Sequence, residues 1–129
     1  MMGGIYQGGQ PMIQRDLKLS TNHITNELIT YIIDKIVWEI HPEKIILFGS
    51  HATGTATKDS DLDLFIIKDS EEENREIRRK IDLLLFGRRF GIDIIVRKPQ
   101  EVEANLKDNN PFYIYHIFKD GKVIYDRKS

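Results

Sequence analysis

Two aspartates spaced two residues apart are the side chains of this sequence best placed to bind a metal ion. Asp61 and Asp63 open an apolar run, residues 62–68, that is typical of a buried strand. Because side chains alternate along a strand, both carboxylates face one way with α-carbons about 6.6 Å apart, while Leu62 and Leu64 face the core. Left alone, the two carboxylates would repel each other, and Mg²⁺ would remove that repulsion because it prefers oxygen ligands. The spacing therefore predicts a divalent-cation site.

A glycine–serine pair supplies the second part of the candidate site. Gly49 and Ser50 follow a β-branched run, residues 44–48, and precede a segment that can form a brief helix. A glycine at such a junction lets the backbone approach a ligand, and the amides at the helix start, with the Ser50 hydroxyl, can bond phosphate oxygens. Asp93 lies in a third predicted strand, residues 92–96, and can add a third carboxylate if the strands are neighbours. Acid–base work falls most naturally to Asp93, which can take the proton from an attacking hydroxyl.

The order and spacing of these elements resemble a known signature. The sequence has Gly-Ser, then ten residues, then Asp-x-Asp, and the small residues Ala52 and Gly54 follow Ser50. This pattern is similar to the motif of the DNA polymerase beta type nucleotidyltransferase superfamily. The sequence looks in particular like its minimal nucleotidyltransferase branch, the MNT antitoxins. The resemblance covers residues 45 to about 96, with the motif elements in order. One departure is His51, which stands where many relatives carry arginine or another residue, and we assign it no role.

The resemblance implies a fold and a role for each motif residue. The fold would be α/β, the nucleotidyltransferase fold of the polymerase beta palm, with a small mixed sheet backed by helices. Gly49 and Ser50 would bind the nucleotide phosphates. Asp61, Asp63 and Asp93 would be the catalytic carboxylates and the metal ligands, with a two-ion Mg²⁺ site and ATP as substrate.

The resemblance also implies a partner. MNT proteins are commonly encoded beside a HEPN-domain protein, an RNase-type toxin, which they neutralise, in some systems by transferring AMP from ATP to it. Masking of the toxin without catalysis is the alternative, and transfer to a small molecule such as an aminoglycoside is a third, weaker one. We expect a protein acceptor because the chain leaves no room for a second domain that would grip another acceptor.

The elements that must position the site can be read from residue periodicity. Apolar residues recur at helical spacing from residue 24 to residue 40, so we predict a first helix capped by Ser20 and closed by Pro42. Ser70 and Glu73 have the spacing of a capping box before a second long helix, which is predicted to end at Gly87. A short helix is predicted over residues 99–107. The segment from residue 112 to residue 125 fits either a helix followed by a strand or a hairpin, and we favour the helix and strand.

Composition limits the remaining possibilities. The 129 residues carry 19 Lys and Arg against 20 Asp and Glu, so the net charge is -1 and direct nucleic-acid binding is not expected. There is no cysteine, which excludes disulfides, thiolate metal sites and cysteine nucleophiles. The sequence shows neither a membrane-spanning run nor a secretory signal, so a cytoplasmic protein is expected. Residues 1–11 are glycine-rich and predicted to be a flexible tail, leaving residues 12–129 as one nucleotidyltransferase domain.

Overall fold

A four-stranded sheet with helices on both faces forms the body of the protein. The computed structural model describes residues 6–7, 10–11 and 16–129. The elements are, in chain order, β1 (Tyr6–Gln7), β2 (Gln10–Pro11), a 3₁₀ turn (Leu17–Leu19), α1 (Asn26–Ile40), β3 (Lys44–Phe48), α2 (Ser50–Thr53), β4 (Leu62–Ile67), α3 (Asn74–Leu84), β5 (Ile92–Arg97), α4 (Pro99–Lys107), a π-helix (Phe112–Lys119) and β6 (Lys122–Asp126). This is the mixed α/β arrangement that the sequence predicts.

The sheet order brings the three motif segments to one edge. The strands run β5-β4-β3-β6, with β3 antiparallel to β4 and β6, and β4 parallel to β5. The carboxyl end of β3 therefore lies beside the amino ends of β4 and β5. The strand pairing shows which residues meet at this edge. Asp63 of β4 lies opposite Phe48 of β3 on one side and opposite Asp93 of β5 on the other.

The two faces of the sheet pack against different helices. On one face, Leu62, Leu64 and Ile66 are completely buried in the core cluster that includes residues of α1 and α3. On the other face, Phe65 and Ile67 pack with residues of α4 and the π-helix. Because side chains alternate along β4, Asp63 lies on the second face, and Asp93, its register neighbour in a parallel pair, lies there as well.

The first helix begins later than the sequence predicts. Its N-cap is Thr25, whose hydroxyl accepts a hydrogen bond from the Leu28 amide at 3.1 Å, and Ser20 instead ends the 3₁₀ turn. Leu19 explains the difference, because it is fully buried in the main core and so fixes the 3₁₀ turn there before the helix starts. The predicted end is confirmed, since His41 before Pro42 adopts a left-handed conformation with φ 54°.

The capping box predicted for α3 does not form. Glu73 occupies the N-cap position without a side-chain cap, while the Ser70 hydroxyl accepts from the Glu72 amide in the preceding turn. The ammonium of Lys98 donates to the carbonyls of Ser70 and Glu72, so a contact with a distant residue sets this turn. The helix also ends at Leu84, before the predicted Gly87.

The carboxyl-terminal segment is a helix followed by a strand, as favoured. The helix has π-type hydrogen bonding over Phe112–Lys119, and β6 pairs with β3.

The expectation of a flexible tail over residues 1–11 falls largely outside the described residues. Within the described part of the chain, no helix is long and apolar enough to cross a membrane.

Candidate active site

The three motif carboxylates come together at the edge where β4 and β5 begin. Asp61 immediately precedes β4, Asp63 is its second residue, and Asp93 is the second residue of β5. Asp63 and Asp93 are directly paired in the parallel register, and Asp61 and Asp93 are both exposed. The structure therefore brings together residues that are thirty or more positions apart in the sequence, as the site prediction requires.

Gly49 fits against Asp63 so closely that no side chain could stand at this position. A Cβ built on Gly49 would lie 2.1 Å from Oδ2 of Asp63. Gly49 also has φ 75° and ψ -158°, a backbone conformation that is essentially restricted to glycine. It is the N-cap of α2, so Ser50, the next residue, occupies the first helical position.

A second glycine makes room for a second carboxylate, and sequence reasoning did not assign it to the site. A Cβ on Gly91 would lie 1.9 Å from Oδ1 of Asp61. The Leu62 amide donates to the Gly91 carbonyl at 3.0 Å, which holds Gly91 beside the start of β4. Gly91 lies two residues before Asp93 in the sequence. That position indicates a role beside Asp61 only when the parallel register of β4 and β5 is known.

Asp63 is the electrostatic focus of the cluster. Burial in the site, followed by the charges of Asp93 and Asp61, raises the pKa of Asp63 to about 6, from an ordinary value of 3.8. The positive charge of His51 acts in the opposite direction and lowers the pKa. A partly buried acid whose charge is destabilised by neighbouring acids is characteristic of sites that bind a cation or move a proton.

The donor set suits Mg²⁺ only as part of a larger coordination sphere. In the described part of the chain, no set of three histidine or acidic side chains is arranged so that it could hold a metal ion by itself. Mg²⁺ usually binds one or two protein carboxylates and completes its octahedron with waters and substrate phosphates. The hard oxygens of Asp61 and Asp63, and the repulsion at Asp63, fit that requirement. The metal assignment itself stays a prediction.

His51 acts electrostatically on Asp63, although the sequence analysis assigned it no role. It is the second residue of α2, and its Nε2 atom is buried without a hydrogen-bond partner among the described residues. It also lines a cleft of about 340 Å³ between residues 22–25 and residues 56–60. A buried nitrogen without a hydrogen-bond partner is unusual in a folded protein, and the electrostatic effect of His51 on Asp63 places this residue near the carboxylates.

The fold and this edge of the sheet define a class of protein. Residues 28–129 match the family described as polymerase beta, nucleotidyltransferase, and the chain belongs to that family. The resemblance inferred from the Gly-Ser and Asp-x-Asp motif is thereby confirmed, and the relatives are consistent with the minimal nucleotidyltransferase branch.

Two archaeal proteins are similar to this chain in amino-acid sequence. A protein of Methanocaldococcus jannaschii named "Putative protein adenylyltransferase" is 43% identical over 88 residues, which cover 66% of this chain and 59% of the relative. A second protein of that organism with the same kind of name is 35% identical over 83 residues, covering 64% of this chain and 78% of the relative. The chain thus spans under two thirds of the first relative's length.

Two solved structures are similar to the chain at lower sequence identity. A structure described as a putative nucleotidyltransferase from Sulfolobus solfataricus has a TM-score of 0.55 and 23% identity, covering 80% of this chain and 81% of that one. A structure described as a toxin–antitoxin with AMP-PNP has a TM-score of 0.46 and 19% identity, covering 81% and 76%. The first supports the nucleotidyltransferase fold, and the second is too distant to bear on function.

Proposed function

We propose that this chain is a Mg²⁺-dependent nucleotidyltransferase that transfers AMP from ATP to a hydroxyl group on a partner protein. The partner in this proposal is a cognate HEPN-domain toxin, and the chain is its antitoxin in the cytoplasm. The observation that carries the proposal is the convergence of Asp61, Asp63 and Asp93 beside the turn at Gly49. The names of the archaeal relatives support a protein as the acceptor.

The proposed reaction assigns one task to each group. Gly49 and Ser50 bind the triphosphate through the turn into α2, and Asp61 and Asp63 hold the metal. When bound, Mg²⁺ would stabilise the charge that develops on the α-phosphate and on the leaving pyrophosphate. Asp93 takes the proton from the acceptor hydroxyl, whose oxygen forms the new bond to the α-phosphorus while the bond to the pyrophosphate oxygen breaks. The products are an AMP-modified acceptor and pyrophosphate.

Labelling of the partner tests the proposal. The chain and a candidate HEPN-domain partner are incubated with Mg²⁺ and ATP labelled at the α-phosphate, and the label on the partner is measured. We expect transfer by the wild type and at least a hundredfold loss, of the order seen when one charge-stabilising group is removed, in Asp61→Asn and Asp63→Asn. Asp59→Asn is the matched control, because Asp59 is an exposed acid in the preceding turn. Undiminished transfer by the Asp63→Asn variant would overturn the metal assignment.

The same variants separate catalysis from masking. If the chain neutralises its partner chemically, a variant with all three aspartates replaced by asparagine should no longer protect cells from the partner. Full protection by a folded triple variant would instead show that the chain acts by covering the partner's surface.

A further inference from the structure

We propose that Phe112 and His116 of the π-helix form the surface on which the base of the bound nucleotide stacks, and that the preferred substrate is a purine nucleoside triphosphate. This inference rests on the proposed function, because it extends the same site from the phosphates to the base. It concerns residues that lie outside the Gly-Ser and Asp-x-Asp motif.

The aromatic pair lies on the same face of the sheet as the carboxylates. Phe48 is directly opposite Asp63 in the antiparallel register, and opposite residues in such a pair share a face with β-carbons about 5 Å apart. The Phe112 ring lies 5.9 Å from the Phe48 ring in an edge-on arrangement. Phe48 therefore connects the catalytic edge to the π-helix through one layer of aromatic side chains.

Within the described part of the chain, the two rings are partly exposed. The rings of Phe112 and His116 are 5.7 Å apart with their planes inclined by 33°, as expected for residues four apart on a π-helix. Phe112 is 38% exposed and His116 is exposed as well. In contrast, Tyr113 and Ile117 of the same helix are buried against the sheet. The π-helix thus divides into an anchoring face and an aromatic face.

A nucleotide base is the occupant that best suits this surface. Phe48, whose ring contacts Phe112, is followed directly by Gly49. A triphosphate bound at the Gly49 turn would therefore lie next to this aromatic layer. Bases stack on aromatic side chains whatever their hydrogen-bonding edge, and purines present the larger face. The surface is therefore expected to favour ATP and GTP over CTP and UTP, with little difference between the two purines.

The test compares ATP with inorganic tripolyphosphate, which has the phosphates but no base. Binding of each to the full chain in Mg²⁺ is measured by calorimetry. For Phe112→Leu we expect roughly tenfold weaker ATP binding with unchanged tripolyphosphate binding, since stacking is lost and the phosphate site is intact. Phe118→Leu is the matched control, because Phe118 is also 38% exposed in the same helix but lines a groove with Val102 and Leu106.

A measurement on the wild type makes the test independent of any variant. In Mg²⁺ and ATP, nuclear Overhauser effects should connect adenine protons H2 and H8 to the ring protons of Phe112 or His116. The proposal is overturned if these contacts are missing while ATP is bound, or if Phe112→Leu weakens tripolyphosphate as much as ATP. Equal binding of ATP and tripolyphosphate by the wild type would also overturn the stacking surface while leaving the proposed function standing. Binding of neither ligand would instead refute the phosphate site itself, and the stacking surface with it.

Discussion

Gly49 lies against Asp63 with no room for a side chain between them, since an added Cβ would be 2.1 Å from the Asp63 carboxylate. The residue that shapes the turn into α2 thus also limits the space around Asp63, the acid of the site whose pKa is raised. The two halves of the sequence motif are in direct contact, although ten residues separate Ser50 from Asp61.

Gly49→Ala should abolish nucleotidyl transfer and destabilise the fold. The new methyl group displaces the Asp63 carboxylate, and φ 75° with ψ -158° costs a non-glycine residue about 1–3 kcal/mol. Gly54→Ala is the control for backbone strain, because Gly54 has φ 79° but no atom within 4 Å of an added Cβ. Thermal denaturation should show a loss in both variants, whereas the labelling assay should show loss of transfer only for Gly49→Ala. Normal transfer by Gly49→Ala would contradict this relationship.

Gly91→Ala should reduce transfer with little effect on stability. Its φ lies outside the left-handed region, so the cost comes only from the contact with the Asp61 carboxylate, which can rotate toward solvent. Denaturation by urea and the labelling assay measure the two effects. The double variant Gly91→Ala/Asp61→Ala removes the clash, so any lost stability should return while transfer stays absent. A large stability loss that persists in the double variant would show that Gly91 matters for the backbone rather than for Asp61.

The stability of the metal-free protein should decrease as pH rises through about 6. The pKa of Asp63 is raised from 3.8 to about 6 in the folded state, so its contribution to stability is fully present below 3.8 and is lost as the carboxyl ionises. Mg²⁺ should oppose that loss at pH 7 and above. Melting temperatures measured across this range with EDTA or with Mg²⁺ check both statements. An unchanged pH profile in Asp63→Asn would assign the dependence to other groups.

His51→Gln should move the titration of Asp63 to higher pH. The positive charge of His51 lowers the pKa of Asp63, so its removal leaves the opposing effects of burial, Asp93 and Asp61. Carbon-detected NMR of the aspartate carboxyl groups measures the midpoint directly. His23→Gln serves as the control, since His23 is exposed and is not among the groups that shift Asp63. Equal midpoints in wild type and His51→Gln would remove His51 from the site.

Local sequence patterns were sufficient for most elements because their causes are local. The β-branched run before Gly49 forms β3 over residues 44–48, and Pro99 begins α4, which ends at Lys107 as predicted. The starts of α1 and α3 could not be read in the same way. Leu19 is buried by distant core residues and Lys98 occupies the turn before α3, so tertiary contacts overrode the local capping signals.

The parts of the candidate site that depend on residue type and order along the chain could be predicted from the sequence. The parts that depend on how the strands of the sheet pair could not. Gly49, Ser50, Asp61 and Asp63 are close in sequence and carry a recognisable motif. Asp93 required neighbouring strands, which the parallel pairing of β4 and β5 provides. Gly91 and His51 carry no distinctive local signal, because their importance arises only from which carboxylate lies beside them in the folded chain.

The most direct measurement of the central claim is a crystal structure of the chain with Mn²⁺, in place of Mg²⁺, and a non-hydrolysable ATP analogue. Anomalous scattering locates the metal independently of the model of the protein. We expect a metal peak in contact with the carboxylates of Asp61 and Asp63, and phosphate oxygens at the turn of Gly49 and Ser50. Nucleotide bound with its phosphates away from that turn, or metal bound without either carboxylate, would contradict the account.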